Sequence, residues 1–94
     1  MSWDVLLSDQ AEDDLEQLDG ALRVRVEKRL ARLAEHPTGP GTKPLAGALT
    51  GFRSLRVGRY RACYWIDDNH SAVRVVIVGH RRDVYRRLER RRGW

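Results

Sequence analysis

The first third of the chain places apolar residues at helical spacing after a short apolar segment that is typical of a β-strand. Residues 3–7 predict the strand, and Ser8 or Asp9 can cap the helix that follows, whose first turn is acidic. Glu12 is placed to complete a capping box on Asp9. The apolar stripe of this helix consists of Ala11, Leu15 and Leu18.

A second helix is predicted over residues 21–35. Asp19-Gly20 interrupts the first helix, and His36-Pro37 ends the second because proline cannot continue a helix. The inward positions are Leu22, Val26, Leu30 and Leu33. The two helices form an antiparallel hairpin that can cover the apolar face of a sheet.

Two alternating segments on either side of Gly58-Arg59 predict a β-hairpin. Glycine as the first residue of a two-residue loop is typical of the type II′ turn, because glycine readily adopts positive φ. The facing pairs are then Val57 and Tyr60, Arg56 and Arg61, Leu55 and Ala62, and Ser54 and Cys63. Facing residues project to the same side of a sheet. The apolar side consists of Leu55, Val57, Tyr60, Ala62, Tyr64 and Ile66.

The remaining segments complete a sheet. Residues 72–78 are β-branched and apolar almost throughout, which is typical of an inner strand. Residues 38–42 predict a loop, residues 43–47 lead into the hairpin, and residues 67–71 predict a turn.

The predicted fold class is α+β, with one small domain over residues 1–94. The helical hairpin packs on one face of a largely antiparallel, twisted sheet, and the other face forms a basic cleft. Residues 84–94 predict a short basic helix or a mobile tail, with Trp94 either anchored on the sheet or disordered.

Arg56 and Arg61 face each other on the polar side of the predicted hairpin. Opposed like charges cost about 0.2–1 kcal/mol relative to neutral pairs. A bound polyanion reverses the sign of that cost. The alternative is that the two guanidinium groups fan apart in solvent.

A second group of polar residues follows the inner strand and consists of His80, Arg81, Arg82 and Tyr85. Arginine offers a charged planar fork to phosphate, histidine titrates near neutrality, and tyrosine donates a hydroxyl. These are the groups that a metal-free phosphodiesterase needs. Each also has a structural alternative, such as a hydrogen bond in a turn for His80.

Charge is divided along the chain. The net charge of +5 and the pI near 10.1 favour anionic partners. Residues 1–22 hold seven acidic and no basic residues, whereas residues 51–94 hold twelve arginines and four acidic residues, which gives −7 against +8. This division predicts one polyanion-binding side. The alternative is that the acidic residues merely solvate the first helix.

Several classes of protein are not expected. A single cysteine excludes an internal disulfide, and the three histidines show no ligand spacing, so we expect no metal or cofactor. No apolar run approaches the roughly 20 residues of a membrane span. Residues 1–22 lack the features of a signal peptide, and we expect a cytoplasmic protein without membrane contact.

The order of these features resembles the RelE/ParE toxin superfamily of bacterial and archaeal toxin–antitoxin systems. The resemblance covers nearly the whole chain. It is carried by Leu-Arg-Val-Gly-Arg-Tyr-Arg at residues 55–61, Tyr-Trp-Ile-Asp at residues 64–67 and Val-Gly-His-Arg-Arg-Asp-Val-Tyr at residues 78–85. The RelE branch cleaves messenger RNA in the ribosomal A site without a metal. The resemblance therefore implies an endoribonuclease, an mRNA interferase that inhibits translation.

The resemblance also implies a catalytic set. Arg61, Arg81 and Tyr85 match residues that hold and act on the scissile phosphate, and Arg56 matches a basic position in the same cleft. We add His80 as a candidate for proton transfer. The expected RNA-binding residues are Lys43, Arg53, Arg82 and Arg86.

One position departs from the family pattern. Members commonly carry lysine or arginine two residues before the position matched by Arg56, and this chain has Ser54 there. Arg53 points to the other face in the predicted register. The catalytic set is therefore either reduced or rebuilt with His80, Arg82 or Lys43.

The implied partners are a cognate antitoxin, the ribosome and messenger RNA. The toxin–antitoxin complex is expected to bind its own operator DNA through the antitoxin. A ParE-like inhibitor of DNA gyrase and a catalytically decayed toxin that only binds its antitoxin are the alternatives. The basic tail is expected to attract RNA or an acidic peptide through Arg86, Arg87, Arg90, Arg91 and Arg92.

Overall fold

The computed structural model describes residues 2–91, which contain five strands and three α-helices. They are β1 (Asp4–Leu7), α1 (Asp9–Glu16), α2 (Gly20–Arg32), β2 (Thr42–Pro44), β3 (Arg53–Val57), β4 (Tyr60–Asp67), β5 (Ala72–His80) and α3 (Val84–Arg91). Short 3₁₀ turns lie at Gly47–Leu49 and Asp68–His70. The predictions made for Arg92 and Trp94 lie outside the described residues.

The strands form one sheet in the order β1-β5-β4-β3-β2. β1 runs parallel to β5, and the other neighbouring strands are antiparallel. The predicted hairpin register is confirmed, because Val57 pairs with Tyr60 and Arg56 pairs with Arg61. Gly58 has a φ of +59°, as the first residue of the predicted loop requires. The α+β fold class is confirmed.

The helical hairpin covers one face of the sheet, which we call the helical face. Its core combines the apolar stripes of α1 and α2 with alternate residues of three strands. These residues are Ala11, Leu15, Val26, Leu30, Leu33, Leu55, Val57, Ala62, Tyr64, Val73, Val75 and Val78. Burial of one large aliphatic side chain stabilises the fold by about 1.5–3 kcal/mol. The predicted stripes therefore supply the main core.

The ends of the elements differ in detail from the predictions. Ser8 caps α1 by accepting a hydrogen bond from the backbone N–H of Ala11 at 3.1 Å. The expected capping box on Asp9 is wrong, since Asp9 already lies inside the helix. α2 ends at Arg32, three residues before the predicted boundary at residue 35. None of the helices in residues 2–91 has the length and apolar character that a membrane crossing requires.

The opposite face of the sheet, which we call the cleft face, is open only in part. α3 and the Gly47–Leu49 turn cover a second apolar core that consists of Leu49, Cys63, Val76, Ile77, Val84 and Leu88. Pairing shifts between Cys63 and Tyr64, so Val76 lacks a partner on β4 and lies with Ile77 on this face. The prediction that this whole face is a basic cleft is wrong for the part beneath α3.

An ion-pair network anchors α3 to α1. Asp14 accepts hydrogen bonds from Arg87 at 3.1 Å, from Arg91 at 2.7 Å and from the backbone N–H of Val78 at 3.0 Å. Arg91 also donates to the carbonyl of Val76 at 3.0 Å. β1 pairs only with residues 72–75 of β5. The side chains of Asp14 and Arg91 therefore satisfy backbone groups of Val78 and Val76 that β1 does not reach. Asp14 is therefore structural, and α1 is not acidic for solvation alone.

Candidate functional site

A cleft of about 270 Å³ opens on the cleft face beside the part that α3 covers. Its lining consists of Gly41, Thr42, Lys43, Ser54, Arg56 and Arg61. The three basic side chains come from three neighbouring strands, β2, β3 and β4. The pairing register of these three strands therefore determines which basic side chains meet in the cleft.

The register explains why these side chains converge. Arg56 lies directly opposite Arg61, and Lys43 lies directly opposite Ser54. Directly opposed residues project to the same side of a sheet, with Cβ atoms about 4.5–5.5 Å apart. Lys43 therefore supplies, from the neighbouring strand, a cation beside the position where Ser54 lacks one.

The cleft carries unneutralised positive charge. The guanidinium of Arg61 donates to the carbonyls of Gly58 and Tyr60, each at 2.9 Å, which fixes its orientation without neutralising it. In residues 2–91 neither Arg61 nor Arg56 nor Lys43 forms an ion pair with an acidic side chain. A positively charged cleft attracts the negatively charged phosphate group.

Tyr85 reaches the wall of the cleft from the first turn of α3. Its hydroxyl lies 3.0 Å from Oγ of Ser54, which is only 2% exposed. α3 is held in place by the burial of Val84 and Leu88 and by the ion pairs of Asp14. Ser54 lines the cleft and Tyr85 does not, so the bond to Ser54 fixes the hydroxyl of Tyr85 behind the cleft wall.

Cys63 lies on β4 opposite Ser54 and is fully buried. Burial raises the pKa of its thiol to about 12, although the Ser54 hydroxyl and the charge of Arg61 act in the opposite direction. The thiol is therefore protonated at neutral pH and does not act as a nucleophile.

Arg81 lies at the hairpin end of the sheet, where Arg61 also lies. Its backbone N–H donates to the carbonyl of Arg59 at 2.8 Å, and its side chain is exposed. Arg82 and Arg86 are exposed and lie outside the cleft lining. Of the predicted RNA-binding residues, the cleft contains only Lys43.

His80 lies on the helical face, and the structure does not bring it to the cleft. It pairs with Tyr60, and the two rings meet edge to face with centroids 5.4 Å apart. Its Nδ1 accepts a hydrogen bond from the backbone N–H of Arg82 at 3.2 Å. Neighbouring residues of a strand alternate between faces, and Gly79 is the one that faces the cleft side, so His80 is not among the residues that the structure brings together there. Its proton-transfer role stays a prediction.

Arg53 also lies away from the cleft lining, and its RNA-binding role stays a prediction. It pairs with Tyr64 of the main core, and its guanidinium donates to Oγ1 of Thr42 at 3.0 Å. Its Nε is buried without a hydrogen-bond partner within residues 2–91. Arg53 therefore packs at the margin of the helical face and is not positioned for RNA in the cleft.

Two features of the site had no clear signal in the sequence. The strand at Thr42–Pro44 spans three residues, too few for a periodic pattern, and was predicted as a loop and a lead-in segment. The bond between Ser54 and Tyr85 joins residues 31 positions apart. It depends on the placement of α3, which the sequence left open between a helix and a tail.

The fold and the cleft together define a small basic α+β domain with a cleft on one sheet face that is lined by three basic side chains. The protein family described as "ParE toxin of type II toxin-antitoxin system, parDE" matches residues 5–85. The chain therefore belongs to the RelE/ParE family of type II toxins.

Individual relatives agree with this assignment. The chain is 40% identical over 88 residues to Toxin RelG of Mycobacterium tuberculosis. The aligned region covers 93% of this chain and 100% of that protein. It is 34% identical to Toxin RelE of the same organism over 89% of this chain and 87% of that protein. A chain in the crystal structure of the toxin–antitoxin complex RelBE2 from M. tuberculosis is 32% identical, with a TM-score of 0.78 over 85% of this chain and 99% of that one. The intact RelBE complex of Escherichia coli, at 22% identity and a TM-score of 0.72 over 84% of this chain and 96% of that one, shares the fold.

Proposed function

We propose that this toxin is a ribosome-dependent endoribonuclease that cleaves messenger RNA without a bound metal. The observation that carries the proposal is the convergence of Lys43, Arg56 and Arg61 in one cleft, with no acidic partner among residues 2–91. Ser54 in the same lining bonds to the hydroxyl of Tyr85. A scissile phosphate in this cleft meets charge that the fold does not neutralise. The ribosome and the absence of a metal follow from the family resemblance.

The proposed reaction is a transesterification within the RNA chain. The 2′-oxygen of a ribose attacks the adjacent phosphorus, and the bond from phosphorus to the 5′-oxygen of the next nucleotide breaks. The products are a 2′,3′-cyclic phosphate and a free 5′-hydroxyl. The step needs in-line alignment, charge stabilisation at phosphorus, and proton transfer from the nucleophile and to the leaving oxygen.

The cleft residues take up charge stabilisation, alignment and protonation of the leaving oxygen, and the proton of the 2′-hydroxyl passes to solvent water. Arg56 and Arg61 neutralise the phosphate, and Arg81 braces the transition state from the hairpin end of the sheet. Lys43 is the candidate proton donor to the leaving oxygen, because it lines the cleft directly opposite Ser54 whereas His80 lies on the other face. Lys43 thus takes the place of the basic residue that Ser54 replaces.

Tyr85 orients the attacking ribose or stacks on a base, and Ser54 acts as a positioning residue for it. A free phenol rotates about its side-chain torsions, whereas the 3.0 Å bond to a buried serine holds the hydroxyl in one place. Pre-organisation of this kind lowers the cost of alignment in the transition state.

Primer extension on programmed ribosomes tests the proposal. We expect the purified chain to cut the message, and Arg61→Gln to lose most of that activity. Lys28→Gln is the matched control, since Lys28 is exposed on α2 and lies outside the cleft lining. An uncut message with the wild-type chain contradicts the proposal.

Inhibition of DNA gyrase is the second candidate function. The matching family is described as ParE, which favours this alternative. An uncut message together with inhibited supercoiling by gyrase assigns the chain to that branch.

The proposed partner is a cognate antitoxin, and the proposed complex binds its operator DNA through that antitoxin. The support is that the similar M. tuberculosis toxin chain was crystallised in a toxin–antitoxin complex. α3 exposes Arg86 and Arg90, which suit an acidic segment of such a partner.

A further inference from the structure

A second groove, of about 340 Å³, lies beside the cleft on the other side of the segment that contains Gly41 and Thr42. Both cavities are lined by these two residues, so they are adjacent across one backbone ridge. The groove belongs to the helical face, since its inner wall includes Leu33 and Leu55. The catalytic roles proposed above do not use it.

The rim of this groove is basic. Arg29 and Arg32 come from the last turn of α2, and His36 follows that helix. Arginines in a last turn compensate the helix dipole, which is a sufficient structural reason for one of them. Arg29, however, lies over the ridge, because a Cβ at Gly41 would collide with its guanidinium. Within the described part of the chain, the lining of the groove contains no acidic residue.

The outer wall of the groove is pre-formed. Gly41 has a φ of +83°, and its carbonyl accepts from the backbone N–H of Arg56 at 2.8 Å. The hydroxyl of Thr42 donates to the carbonyl of Gly39 at 2.7 Å. The hydroxyl of Tyr64 donates to the carbonyl of Pro37. The loop is therefore fixed to the sheet, and a ligand does not have to order it.

We propose that this groove is a second RNA subsite, which holds a nucleotide next to the scissile phosphate. An RNA strand that crosses the ridge at Gly41 places one phosphate in the cleft and a neighbouring phosphate at Arg29 and Arg32. Pro40, which is exposed on the loop, receives the ribose or base. This inference rests on the proposed function, because it assumes that the cleft binds the same strand.

The test measures the binding of RNA to the full chain by fluorescence anisotropy at several salt concentrations. The probes are a dinucleotide and a hexanucleotide, both with 2′-O-methyl groups that block cleavage. The variant is Arg29→Gln with Arg32→Gln. The control is Arg23→Gln with Lys28→Gln, which removes the same charge from the same helix and touches neither cavity.

Removing one arginine that neutralises a phosphate lowers the salt slope of binding by about 0.7 on single strands. In the proposed subsite Arg29 and Arg32 share one phosphate, so the variant that lacks both should show a slope lower by about 0.7 with the hexanucleotide, and its affinity should fall about 2.6-fold less than that of the wild type between 50 and 200 mM salt. The dinucleotide should show no change. The control should match the wild type with both probes.

Several outcomes overturn the inference. The first is an equal salt slope of hexanucleotide binding for the variant and the control. The second is an equal loss of affinity for the dinucleotide and the hexanucleotide in the variant. The third is no measurable binding of the hexanucleotide by the wild-type chain. Weakened binding of an antitoxin without a change in RNA binding assigns the groove to a protein partner instead. Failure of the wild-type chain to cut ribosome-bound message, with the slope change intact, rejects the proposed function and leaves the subsite standing.

Discussion

Replacing Ser54 by alanine removes the hydroxyl that bonds to Tyr85 and that also contacts the thiol of Cys63. The substitution removes the partner of the Tyr85 hydroxyl at 3.0 Å and leaves the three cations of the cleft in place. Ser54 is 2% exposed, so water does not take its place on the serine side. The effect on cleavage therefore reports on the orientation of Tyr85.

The expected magnitude follows from the net free energy of one hydrogen bond. Such a bond contributes about 0.5–1.5 kcal/mol. A loss of about 1 kcal/mol lowers the melting temperature of a domain of this size by about 4–8 °C. The same free energy applied to the barrier slows cleavage about 2- to 10-fold.

The assay is a double-mutant cycle on single-turnover cleavage in programmed ribosomes. Tyr85→Phe should slow the reaction, and Ser54→Ala should add nothing to it in the Tyr85→Phe background. Cys63→Ala is the control, since it removes a buried atom beside Ser54 and should lower stability without changing the rate. Independent, multiplicative effects of the two substitutions would refute the positioning role.

Four further predictions concern other residues. Arg61→Ala should lower the cleavage rate by about 10²–10³ with little change in melting temperature, and a steep loss of stability would show that the residue is structural. Cys63 should resist a thiol reagent in the native protein at pH 8 and react after unfolding, because its pKa is raised to about 12; rapid native labelling would contradict its burial. The hydrogen bond from Arg74 lowers the pKa of Asp67 in the folded protein, so the ionised carboxylate stabilises the fold above its unfolded-state pKa, and this stabilisation is lost as pH falls through the folded-state pKa. Asp67→Asn should therefore destabilise the protein less at acid pH than at neutral pH in urea unfolding. An equal loss of stability at both pH values would contradict this. Asp14→Asn should speed amide exchange in residues 84–91, and equal protection would show that the ion pairs do not anchor α3.

Local patterns were sufficient for the helical hairpin and the central β-hairpin. Gly58 fixes a two-residue loop, and that loop fixes which residues face each other, so the opposition of Arg56 and Arg61 followed from the sequence. The second core did not, because it depends on the bulge at Val76 and on a very basic helix. Its few buried apolar residues are spread over two strands, a 3₁₀ turn and α3, and no local period connects them.

The site was predictable where it rests on strand register and was not where it rests on packing between distant segments. His80 is the last residue of β5, and the alternation of that strand places it on the helical face, although Arg81 is the next residue in the sequence. Ser54 was interpreted as the loss of a charge. In the structure it is the hydrogen-bond partner of Tyr85, which only the placement of α3 reveals.

The central claim, cleavage of messenger RNA by its own 2′-hydroxyl in the basic cleft, is tested most directly by the chemistry of the cut ends. Programmed ribosomes would carry either an all-ribose message or one with a single 2′-deoxy nucleotide before the cut site. The account predicts a 2′,3′-cyclic phosphate and a 5′-hydroxyl from the first message and no cut at that site in the second. Cleavage that persists at the deoxy position, or a 5′-phosphate on the product, would contradict it.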